Sequence, residues 1–355
     1  MALAERINAF VNLGGFLSQF STENPEPNFS INLNDPFFDG MKHQLKLAQE
    51  NNGWFTQENL RFAIGNWAEA LQEEKLVRWT EPYNFDEISQ QKIAIIMAGN
   101  IPLVGFHDFL SVLISGHEVI VKQSSNDKHL LPYLAKYLEY AEPSFKGKIT
   151  FTEEKLEDFD AVIATGSNNT ARYFEYYFKD KPNIIRKNRN SVAILTGKET
   201  EEQLIALSDD IFTYFGLGCR SVSKLFVPKD YNFEAFFKAM YGKSDIMNSA
   251  KYANNYDYNK AVYLMSLFDI LENGFVMIKE DPQYASPIAT VFYEYYENLD
   301  ALQEKLIADA ENIQCIVADI NMENQITFGQ TQHPELHEYA DGVDTLTFLT
   351  NLDRN

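Results

Sequence analysis

Cysteine is nearly absent: the 355 residues contain two, Cys219 and Cys315. A pair so widely separated excludes a disulfide framework and a cysteine-based zinc cluster, and it suits a reducing compartment. Histidine is also scarce, at six, and no His-Glu-x-x-His motif occurs. The string "HPELH" spaces His333 and His337 four apart without a third ligand nearby, so no metal is expected. Positive charge is short as well: 30 Lys and Arg stand against 51 Asp and Glu, a formal net charge of −21. That balance excludes the basic footprint needed for nucleic acid or anionic membranes. It still allows a small anionic ligand in a locally basic pocket. No stretch reaches the roughly 18 to 20 apolar residues of a membrane span. The opening "MALAERINAFVNLGGFLSQF" carries an early acid and lacks the apolar core of a signal peptide. A cytoplasmic location is therefore expected. The dinucleotide fingerprint is missing too. In "GLGCRS" Ser221 falls where the third glycine belongs, and the string leads from helix to strand, the reverse of the required context.

What is present reads as an α/β protein of two domains, since the length exceeds what one core usually organises. The first 90 residues look helical, starting with a short amphipathic helix ending near Gly14 and Gly15. From Gln91 onward apolar strand-length runs alternate with helical stretches: "KIAIIMAG" (92–99), "HEVIVKQ" (117–123), the helix 126–142, "KIT", "DAVIATGS" (160–167) and the helix "NNTARYFEYYFKD". Such alternation predicts a parallel sheet with helical crossovers, whose ligands sit at the carboxyl ends of strands. The turns "AGNIP", "KQSSN" and "TGSNN" lie at such ends. A second α/β unit starts near "SVAILTG" (191–197) and includes strands at 274–280, 289–295 and 313–319. The expected division is a helical segment with a dinucleotide-binding domain at 1–190, a catalytic domain at 191–330 and a C-terminal segment at 331–355. In the last, "YADGVDTLTFL" alternates after an Asp-Gly turn and predicts a terminal strand. "YFEYYF" (173–178) reads as a face of a packed helix, and the acid runs "TEEKLEDFD" and "ETEEQL" read as solvated helix starts.

Chemistry centres on Cys219. A thiolate is the reactive form, and nearby backbone N–H groups or positive charge favour it. Gly216 and Gly218 permit a tight turn around it. Arg220 is adjacent, although neighbouring side chains often point apart. A small packed residue is the alternative, and Cys315, inside "IQCIVAD", fits that alternative as a buried strand cysteine.

Four segments in order resemble the aldehyde dehydrogenase superfamily: "GNIP", "VIVKQSS", "TGS" and "GLGCRSVSKLFVP". They are similar to its Asn-x-Pro turn, its Lys-Pro-Ser-Glu-like strand end, its Thr-Gly-Ser turn and its Gly-Gln-x-Cys nucleophile. The match spans residues 91 to 228, and more loosely to about 330. "RNSVAIL", "YADGVDTLTFL" and the short length point to the LuxC-type acyl-CoA reductases. The resemblance implies an aldehyde dehydrogenase-like fold, with a Rossmann-like cofactor domain and an α/β catalytic domain carrying the cysteine. It makes Cys219 the acyl-accepting nucleophile and Asn100 the oxyanion donor, with the Cys219 N–H. Lys122 then reaches the adenosine ribose, and Gly166 with Ser167 admits the pyrophosphate. Ser125 stands where NAD-preferring members often carry glutamate, so NADPH is the expected cofactor and NADH the alternative. The implied partners are an acyl-CoA or other acyl thioester, an acyl-transferring protein and, by analogy, further copies of the chain.

Two departures matter. Hydrolytic members carry a glutamate base before the cysteine, whereas no acid occurs from Pro182 through Lys198. Without it an acyl group on Cys219 exchanges with a thiol or accepts hydride, which favours NADPH-dependent reduction of an acyl thioester to an aldehyde. Arg186, Lys187 and Arg189 in this stretch either meet phosphates or form a solvated basic loop. The late glutamate-phenylalanine-glycine-proline turn is reduced to Pro287 in "YASPIATVF". The rival readings are CoA-acylating oxidation of a short aldehyde and a non-catalytic partner of this fold in an acyl-transfer complex.

Overall fold

The computed structural model describes residues 1–85, 88–320, 322 and 325–352. The chain divides into two compact units, one of residues 1–187 with 335–355, the other of residues 188–334.

The first unit starts with four helices, α1 (Leu3–Ser18), α2 (Asn34–Asn51), α3 (Gln57–Ala70) and α4 (Glu73–Thr80). Then follow β1 (Lys92–Ile96), α5 (Phe106–Ile114), β2 (Glu118–Lys122), α6 (Leu130–Ala141), β3 (Ile149–Phe151), β4 (Ala161–Thr165), α7 (Asn168–Phe178) and β5 (Asn183–Arg186). The strands pair in parallel in the order β3-β2-β1-β4-β5. Ile93, Ala94 and Ile95 of β1 and Ala161 to Ala164 of β4 are all buried. A parallel sheet covered on both faces requires such unbroken apolar runs. From β1 the chain steps one way through β2 and β3, then the other way through β4 and β5. That reversal opens a crevice at the carboxyl ends of β1 and β4, where doubly wound sheets bind ligands.

Several expectations change in this unit. The first helix does not end at Gly14–Gly15 but continues to Ser18. A Cβ on Gly14 would meet Leu71 Cβ at 2.8 Å, so the glycine serves close packing, and buried Phe16 and Leu17 extend the apolar stripe. "TEEKLEDFD" starts no helix: it is the crossover from β3 to β4, with Phe159 turned inward. The tyrosines of "YFEYYF" are not packed. Tyr173, Tyr176 and Tyr177 of α7 stand exposed, while Phe174 and Phe178 pack against the cluster holding Phe159.

The second unit runs β6 (Asn190–Ile194), α8 (Glu201–Phe212), β7 (Val222–Pro228), α9 (Glu234–Met240), α10 (Ala250–Met265), β8 (Ile270–Glu272), β9 (Met277–Glu280), β10 (Thr290–Tyr296), α11 (Leu299–Ala308), β11 (Ile313–Val317) and β12 (Gln325–Ile326). Its sheet has the order β12-β11-β6-β7-β10-β9-β8 and is parallel except for the β8–β9 pair. Thr200 caps α8, accepting from Gln203 N at 3.2 Å while Gln203 Oε1 accepts from Thr200 N at 2.9 Å. Cys315 is buried in β11.

The C-terminal segment then rejoins the first unit. Its expected terminal strand is a helix, α12 (Thr345–Thr350). Asp344 accepts from Thr347 N at 2.8 Å as an N-cap, and buried Leu346, Leu349 and Leu352 recur at helical rather than alternating spacing. Among the described residues no helix is long and apolar enough to cross a membrane.

The basic cluster is neither a phosphate site nor a solvated loop at its first position. Arg186 is buried, pairs with Asp108 at 2.7 Å, and donates to Ala340 O (2.7 Å) and Thr345 Oγ1 (3.0 Å). Lys187 pairs with Glu175 at the surface, and Arg189 donates to Ala310 O and Ile313 O.

Candidate active site

The thiol lies at the amino end of β7. Helix α8 stops at Phe212, and Tyr214, Phe215 and Gly216 then take left-handed conformations with φ of 56°, 58° and 74°. Non-glycine residues resist this region, so two in succession mark a locally constrained backbone. A tight turn follows, closed by Ser221 N donating to Gly218 O at 3.0 Å. Cys219 sits inside this turn, half-buried and outside any disulfide.

Hydrogen bonds anchor that turn from two directions. Ser191 Oγ of β6 donates to Cys219 O at 3.0 Å. Arg220 Nε donates to Thr331 O at 2.5 Å, which ties the turn to the loop at 329–331. Thr331 is itself fixed: its N–H and Oγ1 donate to Asp210 Oδ1 at 3.0 and 2.8 Å, and Gly329 N donates to Oδ2 at 2.7 Å. Asp210 is fully buried in α8, and burial raises its carboxyl above the usual range against the pull of these bonds. Behind the thiol, β7 is stiffened by Lys224, wholly buried, paired with Glu294 at 2.7 Å and stacked over Phe226 and Tyr284.

Two cavities flank this strand. One of about 30 Å³ is lined by Phe215, Gly216, Tyr252 and the Ser286–Ala289 loop. Pro287 thus lines the same cavity as the left-handed segment that leads to Cys219. The other, of about 570 Å³, opens at the carboxyl ends of β6 and β7 between Gly197, Glu199 and Tyr231. It is the larger, but seven strand residues, roughly 20 Å, separate it from the Cys219 turn. The N–H groups of Thr196 and Gly197 there already donate to Glu199.

The other expected residues all lie along the carboxyl edge of the first unit's sheet. Asn100 is exposed on the turn after β1. Lys122 ends β2, its Nζ donating to Glu154 O at 2.9 Å, which leaves two of its three N–H donors for a ligand. Ser125 is exposed on the following turn. After β4, Ser167 caps α7, accepting from Thr170 N at 3.3 Å, and a Cβ on Gly166 would meet Thr170 and Phe174 at 3.0 Å. A close backbone approach and a helix N-terminus at a sheet switch point fit a dinucleotide pyrophosphate. Cys219 belongs to the second unit and the other five to the first.

Asp127 went unnoticed in the sequence, where "SSNDK" gives no sign that one member is internal. Its Oδ2 accepts from Leu103 N at 2.7 Å, and its Oδ1 is buried with no hydrogen-bond partner among the described residues. Burial lifts the carboxyl from the ordinary 3.8 to about 6, against the Leu103 bond that lowers it. The fold thus favours the protonated form. The stabilisation is complete below the unfolded value and is lost as pH rises through about 6, roughly 3 kcal/mol for a shift near two units. Asp127→Asn keeps the acceptor and cannot ionise. Its melting temperature relative to wild type should therefore rise between about pH 4 and pH 8, as thermal scans across that range will read; a gap that narrows with pH contradicts the assignment.

The family model for LuxC acyl-CoA reductases matches residues 54–243. No curated protein sequence matches the chain. Among solved structures, an indole-3-acetaldehyde dehydrogenase complexed with NAD+ is 13% identical with a TM-score of 0.65, over 91% of this chain and 73% of that one. Aldehyde dehydrogenase 21 from Physcomitrella patens, complexed with succinate, is 11% identical with a TM-score of 0.66, over 97% and 79%. The aldehyde dehydrogenase KauB from Pseudomonas aeruginosa is 12% identical with a TM-score of 0.63, over 91% and 73%. These likenesses establish the aldehyde dehydrogenase fold. Since the matched residues exceed half of its length, the chain belongs to the LuxC acyl-CoA reductase family and is an aldehyde-handling oxidoreductase.

Proposed function

We propose that this protein reduces an acyl thioester, a fatty acyl-CoA in the first instance, to an aldehyde through an S-acyl intermediate on Cys219. The observation that carries the reading is the segment from Pro182 to Lys198, which contains no acid and forms β5 and β6. A hydrolytic relative needs a carboxylate there to activate water. Its absence leaves an acyl group on Cys219 with hydride or another thiol as its partner.

In this reading the Cys219 thiolate attacks the thioester carbonyl, and the coenzyme A thiolate leaves and takes up a proton. The Asn100 amide and the Cys219 N–H donate to the oxyanion at each tetrahedral stage. NADPH, when bound, supplies the hydride that turns the acyl carbon into a hemithioacetal carbon. Collapse of that adduct releases aldehyde and returns the thiolate. Gly166 and Ser167 accept the pyrophosphate against α7, Lys122 reaches the ribose, and Ser125 accommodates a 2′-phosphate that an acid would repel. Neighbours complexed with NAD+ support a nicotinamide cofactor and make NADH the comparison to run.

The test is to incubate the protein with isotope-labelled octanoyl- and palmitoyl-CoA and locate label by mass spectrometry, then to measure aldehyde formation with NADPH and NADH. Label on Cys219 and faster turnover with NADPH are expected; no adduct with either chain length refutes the mechanism. Asn100→Ala should lower kcat by about 10²- to 10³-fold with little change in acyl-CoA KM, as loss of an oxyanion donor does.

A further inference from the structure

Asn100 is exposed on a turn without regular structure, yet an oxyanion donor has to be held in place before the reaction starts. Both flanks of that turn are fixed by one neighbouring segment, Ser124–Asp127. On one side Gly99 packs so tightly on it that a Cβ would come within 2.6 Å of Ser124 Oγ and 3.2 Å of Asn126 Cβ. On the other, Leu103 N donates to Asp127 Oδ2 at 2.7 Å. Leu103 is a buried, non-glycine residue at φ 57°, a conformation that persists only where its surroundings impose it.

The clamping segment is itself braced. Asp127 N donates to Ser124 O at 3.1 Å, Gln123 Nε2 to Asp127 O at 3.1 Å, and Asn51 Nδ2 of α2 to Ser125 O at 2.9 Å. An ionised carboxylate makes a shorter and stronger bond to a backbone N–H than a neutral acceptor does. The cost is a desolvated charge with one oxygen unpartnered among the described residues.

We infer that Asp127 is a positioning residue for Asn100, holding the Gly99–Leu103 turn so that the Asn100 amide is preset for the oxyanion, and coupling it to the turn that carries Ser125. This rests on the oxyanion role of Asn100 proposed above, and the experiment separates the two. Single-turnover acylation of Cys219 by palmitoyl-CoA is measured for wild type, Asn100→Ala, Asp127→Ala, Asp127→Asn and the Asn100→Ala/Asp127→Ala double variant.

Asp127→Ala should slow acylation at least about 10-fold in the wild-type background and less than about 3-fold in the Asn100→Ala background, the non-additivity of residues acting through one another. Asp127→Asn, which keeps the acceptor, should stay within about 3-fold of wild type. Equal slowing in both backgrounds, or none in either, overturns the positioning role while leaving Asn100 intact as a donor. An Asn100→Ala protein that acylates at the wild-type rate refutes the donor reading, and the Asp127 inference with it. Should Asp127→Ala not fold, Asp127→Ser, whose shorter side chain withdraws from Leu103, takes its place in the same cycle.

Discussion

Cys219→Ala should abolish labelling by acyl-CoA and cut aldehyde formation by about 10⁴- to 10⁶-fold, the scale on which covalent catalysts lose rate without their nucleophile. The effect is this large because nothing nearby can substitute: Cys315 is buried in β11, and no other cysteine exists. The fold should survive the change, since a half-buried thiol gives up little packing and the Ser191 and Arg220 bonds use the backbone or side chains other than the thiol. Matched thermal unfolding of the variant and wild type establishes that the loss is chemical. Nucleotide affinity gives a second control, because the residues proposed to hold the cofactor lie in the first unit and should bind it unchanged. Retained label in Cys219→Ala, on any residue, would end the case for this nucleophile.

Arg186→Ala should destabilise the first unit by about 3 to 5 kcal/mol, the cost of leaving one member of a buried ion pair without its partner. Asp108 would stay behind in the core, while Ala340 O and Thr345 Oγ1 lose a donor. For a unit of this size the shift is roughly 10 °C in melting temperature. Lysine should not rescue it, because one ammonium cannot reproduce the forked contact with both Asp108 oxygens, at 2.7 and 3.3 Å, together with the two C-terminal acceptors. Arg186→Met with Asp108→Leu should recover much of the loss, since removing both charges removes the desolvation problem. Denaturant unfolding followed by probes in each unit will show whether the first transition alone moves. An unchanged midpoint for Arg186→Ala contradicts the assignment.

The fold was legible where the chain repeats its own grammar. The apolar runs of β1, β2, β4, β6 and β7 announce buried parallel strands, and the turns after them announce a ligand edge. The candidate site was suggested only by the order of four short segments, because Cys219 and its glycines by themselves fit a packed residue better. Failures share a cause: local pattern competing with tertiary partners. "DTLTFL" alternates like a strand, yet Asp344 caps it and three leucines fall on one helical face. Arg186 read as a phosphate ligand or a solvated cation because Asp108 lies 78 residues earlier in the chain. Asp127 was invisible for the same reason. Whether an acid in "SSNDK" faces water or the interior depends on Leu103, in a different loop.

The return of residues 335–352 to the first unit has a consequence for synthesis on the ribosome. Leu336, Leu346, Leu349 and Leu352 complete its core, and His117 meets Leu349 O at 3.0 Å. Trp79 Nε1 donates to Tyr339 OH at 2.8 Å. None of these contacts exists while that segment is still being made. The second unit, continuous from Asn188 to Pro334, has all its residues earlier. Domains usually fold in the order in which they emerge. Here the first unit cannot be completed first: it keeps an open face, with Arg186 short of two acceptors, until translation has passed through the second unit.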